Sequence, residues 1–155
     1  MKKNRCPKCR ADIVPEDISC PHCGAVLSGG LRCEKHGEAA AGICIICGTP
    51  FCPACGKRKN GYFLCENHAA MPVIEGMAGV FGGEDEMSVR YLESVLKEAG
   101  LHPYLYIRRV HPISPAFHMI GNLQELQGRI SNAILILVPF HEVLEALSVL
   151  NDAEV

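Results

Sequence analysis

The sequence predicts a chain in two parts. A cysteine-rich half is built of small metal-stabilised modules, and an α/β domain of order β-α-β-β-α follows it. Three observations carry this. Twelve Cys and His residues stand in six pairs, each with two residues between its members, all before residue 69. No cysteine follows Cys65. Apolar residues at strand and helix spacing begin only after residue 76.

The pairs are Cys6/Cys9, Cys20/Cys23, Cys33/His36, Cys44/Cys47, Cys52/Cys55 and Cys65/His68, which use all 10 cysteines and two of the 7 histidines. A structural Zn²⁺ takes four N/S ligands in a tetrahedron. Six pairs therefore make three closed zinc sites with nothing left over. Pro7, Pro21 and Pro53 follow the first cysteine of their pairs, and Gly24, Gly48 and Gly56 follow the second. Proline presets the turn, and glycine tolerates the positive φ that aims backbone N–H groups at sulfur. The competing reading is a secreted disulfide framework. The N-terminus, Met-Lys-Lys-Asn-Arg-Cys, shows no apolar stretch behind its charges, so no signal peptide is expected. Histidine in two of the pairs also points to metal.

Zinc also meets a folding need. Residues 1–68 carry few large apolar side chains, chiefly Tyr62, Phe51 and Phe63 with some Ile and Leu. So small a core does not offset the entropy of ordering the chain. Structural zinc supplies about 10–16 kcal/mol per site in finger peptides. This half is expected to unfold when a chelator removes the metal.

The strings CPKC and CPHCG, ten residues apart, resemble the two knuckles of a zinc ribbon, here over residues 1–28. The usual knuckle glycine is replaced by Arg10. The connector 10–19 suits a short hairpin between the knuckles. The other eight ligands, from Cys33 to His68, resemble a B-box type zinc finger over residues 29–69. That resemblance implies interleaved pairs: Cys33, His36, Cys52 and Cys55 on one zinc, and Cys44, Cys47, Cys65 and His68 on the other. The four-residue gap between Cys47 and Cys52 suits such a cross-brace. Sequential pairing, Cys33/His36 with Cys44/Cys47 and Cys52/Cys55 with Cys65/His68, is the alternative.

Residues 1–68 carry 10 Lys and Arg against 6 Asp and Glu, a formal +4, and residues 69–155 carry 5 against 11, a formal −6. Ten thiolates and three Zn²⁺ bring the first half to about zero. A module that grips nucleic acid needs a strong positive field. Only Lys57, Arg58 and Lys59 form a notable cluster, beside Asn60-Gly61-Tyr62-Phe63. Basic side chains next to aromatics suit single-stranded nucleic acid. The simpler reading is a hairpin turned at Asn60-Gly61, with a solvated basic edge and Tyr62 and Phe63 packed under the zinc. His22 sits inside a knuckle and is expected at the surface. His102, His111, His118 and His141 show no ligand spacing.

A linker over 70–76 leads into the second half, 77–155. A strand is expected over 76–81, and a helix over 85–99 with Val89, Leu92, Val95, Leu96 and Ala99 on one face and Gly100 as its stop. A strand follows over 102–110. The run AILILV, 133–138, reads as a central buried strand. A last helix starts at Pro139, with Phe140, Val143, Leu144, Leu147 and Leu150 at helical spacing. The acidic helix start GEDE at 83–86, the segment KEAGLHPYLY and the closing ILILVPFHEVLEAL are similar to the prokaryotic signal-transducing protein family, over about 77–150. The resemblance implies a ferredoxin-like α/β fold and supplies no catalytic residues. The connection 111–132 is long for so small a domain and reads equally as a binding loop or as a partly ordered segment. No apolar stretch approaches the ~20 residues that span a bilayer.

The expected function is that of a zinc-binding, non-enzymatic adaptor or regulator in the bacterial cytoplasm, working through a protein partner in signalling. The C-terminal domain would sense a ligand or pair with a second copy. The alternative is nucleic-acid binding through the ribbon and Lys57, Arg58 and Lys59. No Ser/His/Asp set, phosphate loop or open metal site is legible, so no enzyme is expected.

Overall fold

A computed structural model of the chain describes residues 4–108 and 134–153. The sequence readings at His111, His118 and the connection 111–132, and the end of the strand expected over 102–110, lie outside these residues. The chain divides into two compact units, Met1–Val73 and Ile74–Val155.

The first unit is made of very short strands folded around the cysteine pairs. β1 (Asn4–Arg5) pairs antiparallel with β2 (Asp12–Ile13), and β3 (Gly42–Ile43) with β4 (Pro50–Phe51). Single bridges do the same work at Ser19 and Val26, and at Arg32 and Ala39. Each bracket encloses one knuckle in the same register: Arg5 faces Asp12, Ser19 faces Val26, Arg32 faces Ala39 and Ile43 faces Pro50. The expected hairpin over 10–19 is replaced by these brackets, because the backbone pairs across each knuckle and not between knuckles. β5 (Gly56–Lys59) and β6 (Tyr62–Cys65) form the longest hairpin of the unit, and it connects the fifth pair to the sixth. Its turn is Asn60-Gly61, with φ of 50° and 86°, as a two-residue hairpin with this sequence requires.

Ribbon and second module are continuous within this unit. The Ile43 amide donates to the Gly24 carbonyl at 2.8 Å, and the Phe63 amide to the Cys23 carbonyl at 3.0 Å. Ala25 bridges Gly42. Phe63 is 2 % exposed and sits against Gly42 and Gly56, where a side chain would strike its ring. Phe51, Leu64 and Ile46 are also buried in this unit.

The second unit is a four-stranded sheet with two helices. The strand order is β7 (Val73–Ile74), β8 (Met77–Gly83), β10 (Ile134–Pro139), β9 (Tyr104–Ile107). β10 runs antiparallel to both β8 and β9, so those two are parallel with β10 between them. The stretch read as a linker thus holds a strand, β7. It is joined to β8 through Glu75-Gly76, whose φ values of 49° and 78° make a tight turn. The AILILV run is the central strand, with Ile134, Leu135, Ile136, Leu137 and Val138 all buried.

α1 (Glu86–Glu98) begins at Asp85, whose Oδ2 accepts from the Ser88 amide at 2.9 Å. It ends as the sequence predicts: Gly100, at φ 83°, donates to the Lys97 carbonyl, and Leu101 donates to that of Leu96. Val89, Leu92 and Leu96 form its buried face. A 3-10 turn (Phe140–Glu142) separates β10 from α2 (Val143–Ala153). Pro139 ends the strand and does not start the helix. α2 buries Val143, Ala146 and Leu150, while Leu144 and Leu147 stay 50 % and 36 % exposed. Each buried Val or Leu contributes about 1.5–3 kcal/mol.

Candidate metal centres

All six pairs make the same turn. The amide after each pair donates to the carbonyl of its first residue: Arg10 to Cys6, Gly24 to Cys20, Gly37 to Cys33, Gly48 to Cys44, Gly56 to Cys52 and Ala69 to Cys65. In the first four, the amide of the leading cysteine also donates across the turn, to Ala11, Ala25, Glu38 and Thr49. The fifth residue of these four takes positive φ: Arg10 62°, Gly24 74°, Gly37 68° and Gly48 70°. Arg10 is the one non-glycine residue among them and pays about 1–2 kcal/mol for that conformation. Arg10→Gly should therefore stabilise the metal-loaded unit by about 0.5–1 kcal/mol, after the added freedom of the unfolded chain is counted. Thermal melts of the two proteins check this.

The turns bring the ligands into three groups of four. They are Cys6, Cys9, Cys20 and Cys23; Cys33, His36, Cys52 and Cys55; and Cys44, Cys47, Cys65 and His68. Within each group the ligand atoms lie within 4.8 Å of one another. The grouping is the interleaved one. A tetrahedral Zn²⁺ with bonds of about 2.3 Å to sulfur and 2.05 Å to nitrogen sets S···S near roughly 3.8 Å and S···N near roughly 3.5 Å. Cys6 and Cys23 sulfurs lie 3.8 Å apart, and those of Cys9 and Cys20 3.6 Å. His36 Nδ1 lies 3.4 Å from Cys52 Sγ and 3.2 Å from Cys55 Sγ. His68 Nδ1 lies 3.5 Å from Cys44 Sγ and 3.2 Å from Cys65 Sγ. All ten cysteines are free thiols, and these separations are far from the ~2.05 Å of a disulfide. Donor set and distances fit three structural zinc ions.

The turns also tune the thiols. Burial pushes Cys6 up, but the amides of Cys9 and Lys8 aim at its sulfur and, with the neighbouring thiols, bring it down to about 6. Cys33 is likewise pushed up by burial and drawn down to about 6, by the amides of Cys52, His36 and Lys35. Cys44 is lowered in the same way by Cys47, Cys65 and Ile46 amides, against its burial. His36 draws Cys52 down, whereas burial raises Cys20 to about 12, and Cys55 and Cys65 to about 11. Each tetrad thus holds at least one thiol lowered toward the thiolate and at least one raised by burial, whose proton a bound metal would displace.

No family model matches this chain, and comparison with curated proteins and with solved structures finds no similar one.

The basic cluster is less available than its sequence suggests. Lys59 Nζ donates to the Ala69 and Met71 carbonyls at 3.1 and 2.8 Å, and Arg58 donates to the Gly61 carbonyl at 3.2 Å. Lys59 thus holds the chain that follows His68, and the exposed cations of the cluster are Lys57 and Arg58. His22 is exposed, as its place inside a knuckle predicts.

His102 and His141, scattered in sequence, meet at Glu142. This carboxylate is 7 % exposed. It accepts from the His102 amide at 2.8 Å and lies 2.6 Å from His102 Nδ1. Burial raises the Glu142 pKa, but the His102 amide and ring outweigh it and hold the carboxyl below its ordinary 4.5. A depressed folded value means that the ionised form stabilises the fold above the unfolded value, and that this is lost as pH falls through the folded one. Glu142→Gln should cost about 1–3 kcal/mol at neutral pH. The difference from wild type should shrink below the ordinary 4.5, which chemical denaturation across pH would measure.

Proposed function

We propose that this chain is a non-enzymatic zinc-binding adaptor or regulator, which presents a rigid metal-held surface to a protein partner in bacterial cytoplasmic signalling. The observation that carries this reading is the closure of the metal groups. Each already has four protein ligands, which leaves no position for water or substrate. Zinc of this kind shapes a surface and does not activate a nucleophile. The interleaved groups around the β5–β6 hairpin support a B-box type module. The parallel β8 and β9 flanking β10, with α1 connecting them, support a ferredoxin-like arrangement of the kind found in the prokaryotic signal-transducing family. Among the described residues no helix is long and apolar enough to cross a membrane.

The test is affinity capture from bacterial extract with the zinc-loaded chain and with a Cys44→Ser variant. A stoichiometric protein partner, lost in the variant and on chelation, is the expected result. Failure to recover any partner, together with measured turnover of a metabolite, would overturn the reading. Nucleic-acid binding is weakened by the tethering of Lys59. Salt-sensitive binding that falls on Lys57→Ala and Arg58→Ala would restore it.

A further inference from the structure

The ten cysteines are not equally reachable. Cys6, Cys20 and Cys23 are each 1 % exposed, and the cysteines of the other two groups are buried apart from half-buried Cys47. Cys9 is the exposed cysteine of the chain. The Cys33 group also turns one ligand outward, but that ligand is His36, an imidazole and not a thiolate. Cys9 borders a solvent-open cavity of about 310 Å³ at the seam between ribbon and β5–β6 hairpin, with His22, Cys23 and Tyr62 among its other walls. The shielded Cys20 sulfur lies 3.6 Å from that of Cys9. A reachable thiolate with a second sulfur poised beside it is the arrangement in which oxidation starts and a disulfide follows.

We propose that Cys9 is a site of oxidative modification, at which hydrogen peroxide opens the ribbon and releases its zinc while the two interleaved sites keep theirs. This rests on zinc loading of the three groups, in which each coordinating thiol is deprotonated outright. Cys9 Sγ attacks one peroxide oxygen, an S–O bond forms and the O–O bond breaks. Hydroxide leaves and takes a proton from solvent, and Cys9 becomes a sulfenic acid. The Cys20 thiolate then attacks the Cys9 sulfur. An S–S bond forms as the S–O bond breaks, and the second hydroxide is protonated in turn. Two thiolates thus give up two electrons, and one peroxide becomes two waters. Only Cys6 and Cys23 remain as ligands, too few for a closed tetrahedral site. The change reaches past the ribbon, because the Cys23 and Gly24 carbonyls accept from the amides of Phe63 and Ile43.

The experiment uses the full chain with its three zinc ions counted by native mass spectrometry. One equivalent of hydrogen peroxide is added, and zinc release is read with a chromophoric chelator against a peroxide-free control. Peptide mapping locates the oxidised residues. The expected result is loss of one ion, a Cys9–Cys20 disulfide, and lost exchange protection at the Ile43 and Phe63 amides. A 1,3-diketone trap present during oxidation should label Cys9. A dithiol reductant with added Zn²⁺ should restore the third ion. Cys9→His keeps a metal-binding nitrogen in place of the thiolate and, once its three ions are counted, should release none at the same dose. If that variant holds only two ions, the wild-type map and trap decide alone. First oxidation at any other cysteine overturns the proposal. So does equal release from the interleaved sites, or undiminished release from Cys9→His. The ribbon is then an inert structural site.

Discussion

Stripping all three zinc ions should unfold the Met1–Val73 unit and leave the Ile74–Val155 unit folded. The first unit has strands of two to four residues. Its buried apolar side chains other than cysteine are Ala25, Ile46, Phe51, Phe63, Leu64 and Val73. At about 1.5–3 kcal/mol for each large one, that core falls well short of the entropy of ordering some seventy residues. Three closed sites at about 10–16 kcal/mol each supply the difference. The second unit contains no cysteine, and its sheet and helices bury a continuous set of Leu, Ile and Val around β10. Hydrogen exchange read by mass spectrometry separates the two outcomes. After chelation, protection should vanish throughout the first unit and persist in β8, β10 and α1. Retained protection in both units would sink the claim.

Gly24→Ala should have the largest effect of any single methyl group. Gly24 has φ of 74°, and a Cβ there would collide with the Ile43 carbonyl oxygen and lie 3.2 Å from Phe63 Cβ. The backbone has no flexible end to move aside. The positive φ costs about 1–2 kcal/mol for alanine, and the collision forces apart the bonds from Ile43 to Gly24 and from Phe63 to Cys23. A total of about 3–5 kcal/mol is expected, the range of strain combined with overpacking. The amides of Ile43 and Phe63 should lose exchange protection first. Unchanged protection at both would show that the ribbon does not depend on this contact.

The ligands were legible because metal geometry demands particular atoms at a particular spacing, and only Cys and His supply them. The interleaving followed from a short gap, Cys47 to Cys52, together with a family resemblance. The α1 boundaries were legible for a similar reason: Asp85 and Gly100 are needed by the first and last turns of a helix. Other features left no such mark. The seam between ribbon and second module rests on the carbonyls of Cys23 and Gly24, groups every residue has, so no side-chain pattern announces it. The strand β7 lies before a Glu75-Gly76 turn, where glutamate is an unusual occupant of positive φ. The meeting of His102 with Glu142 depends on strand order, which brings together residues 40 positions apart. Exposed Leu144 and Leu147 show that helical spacing reports a stripe and not how much of it a neighbour covers.

The nesting of the ligand groups also orders events on the ribosome. The first group is complete once Cys23 has emerged, the second needs Cys55, and the third waits for His68. At about 5–20 residues per second, several seconds separate the first closure from the last. Within that interval Cys33 and His36 wait for Cys55, and Cys44 and Cys47 for His68, each pair an open half-site until its partner pair follows. A chain synthesised with too little zinc at hand would leave the ribosome with its cross-brace unmade.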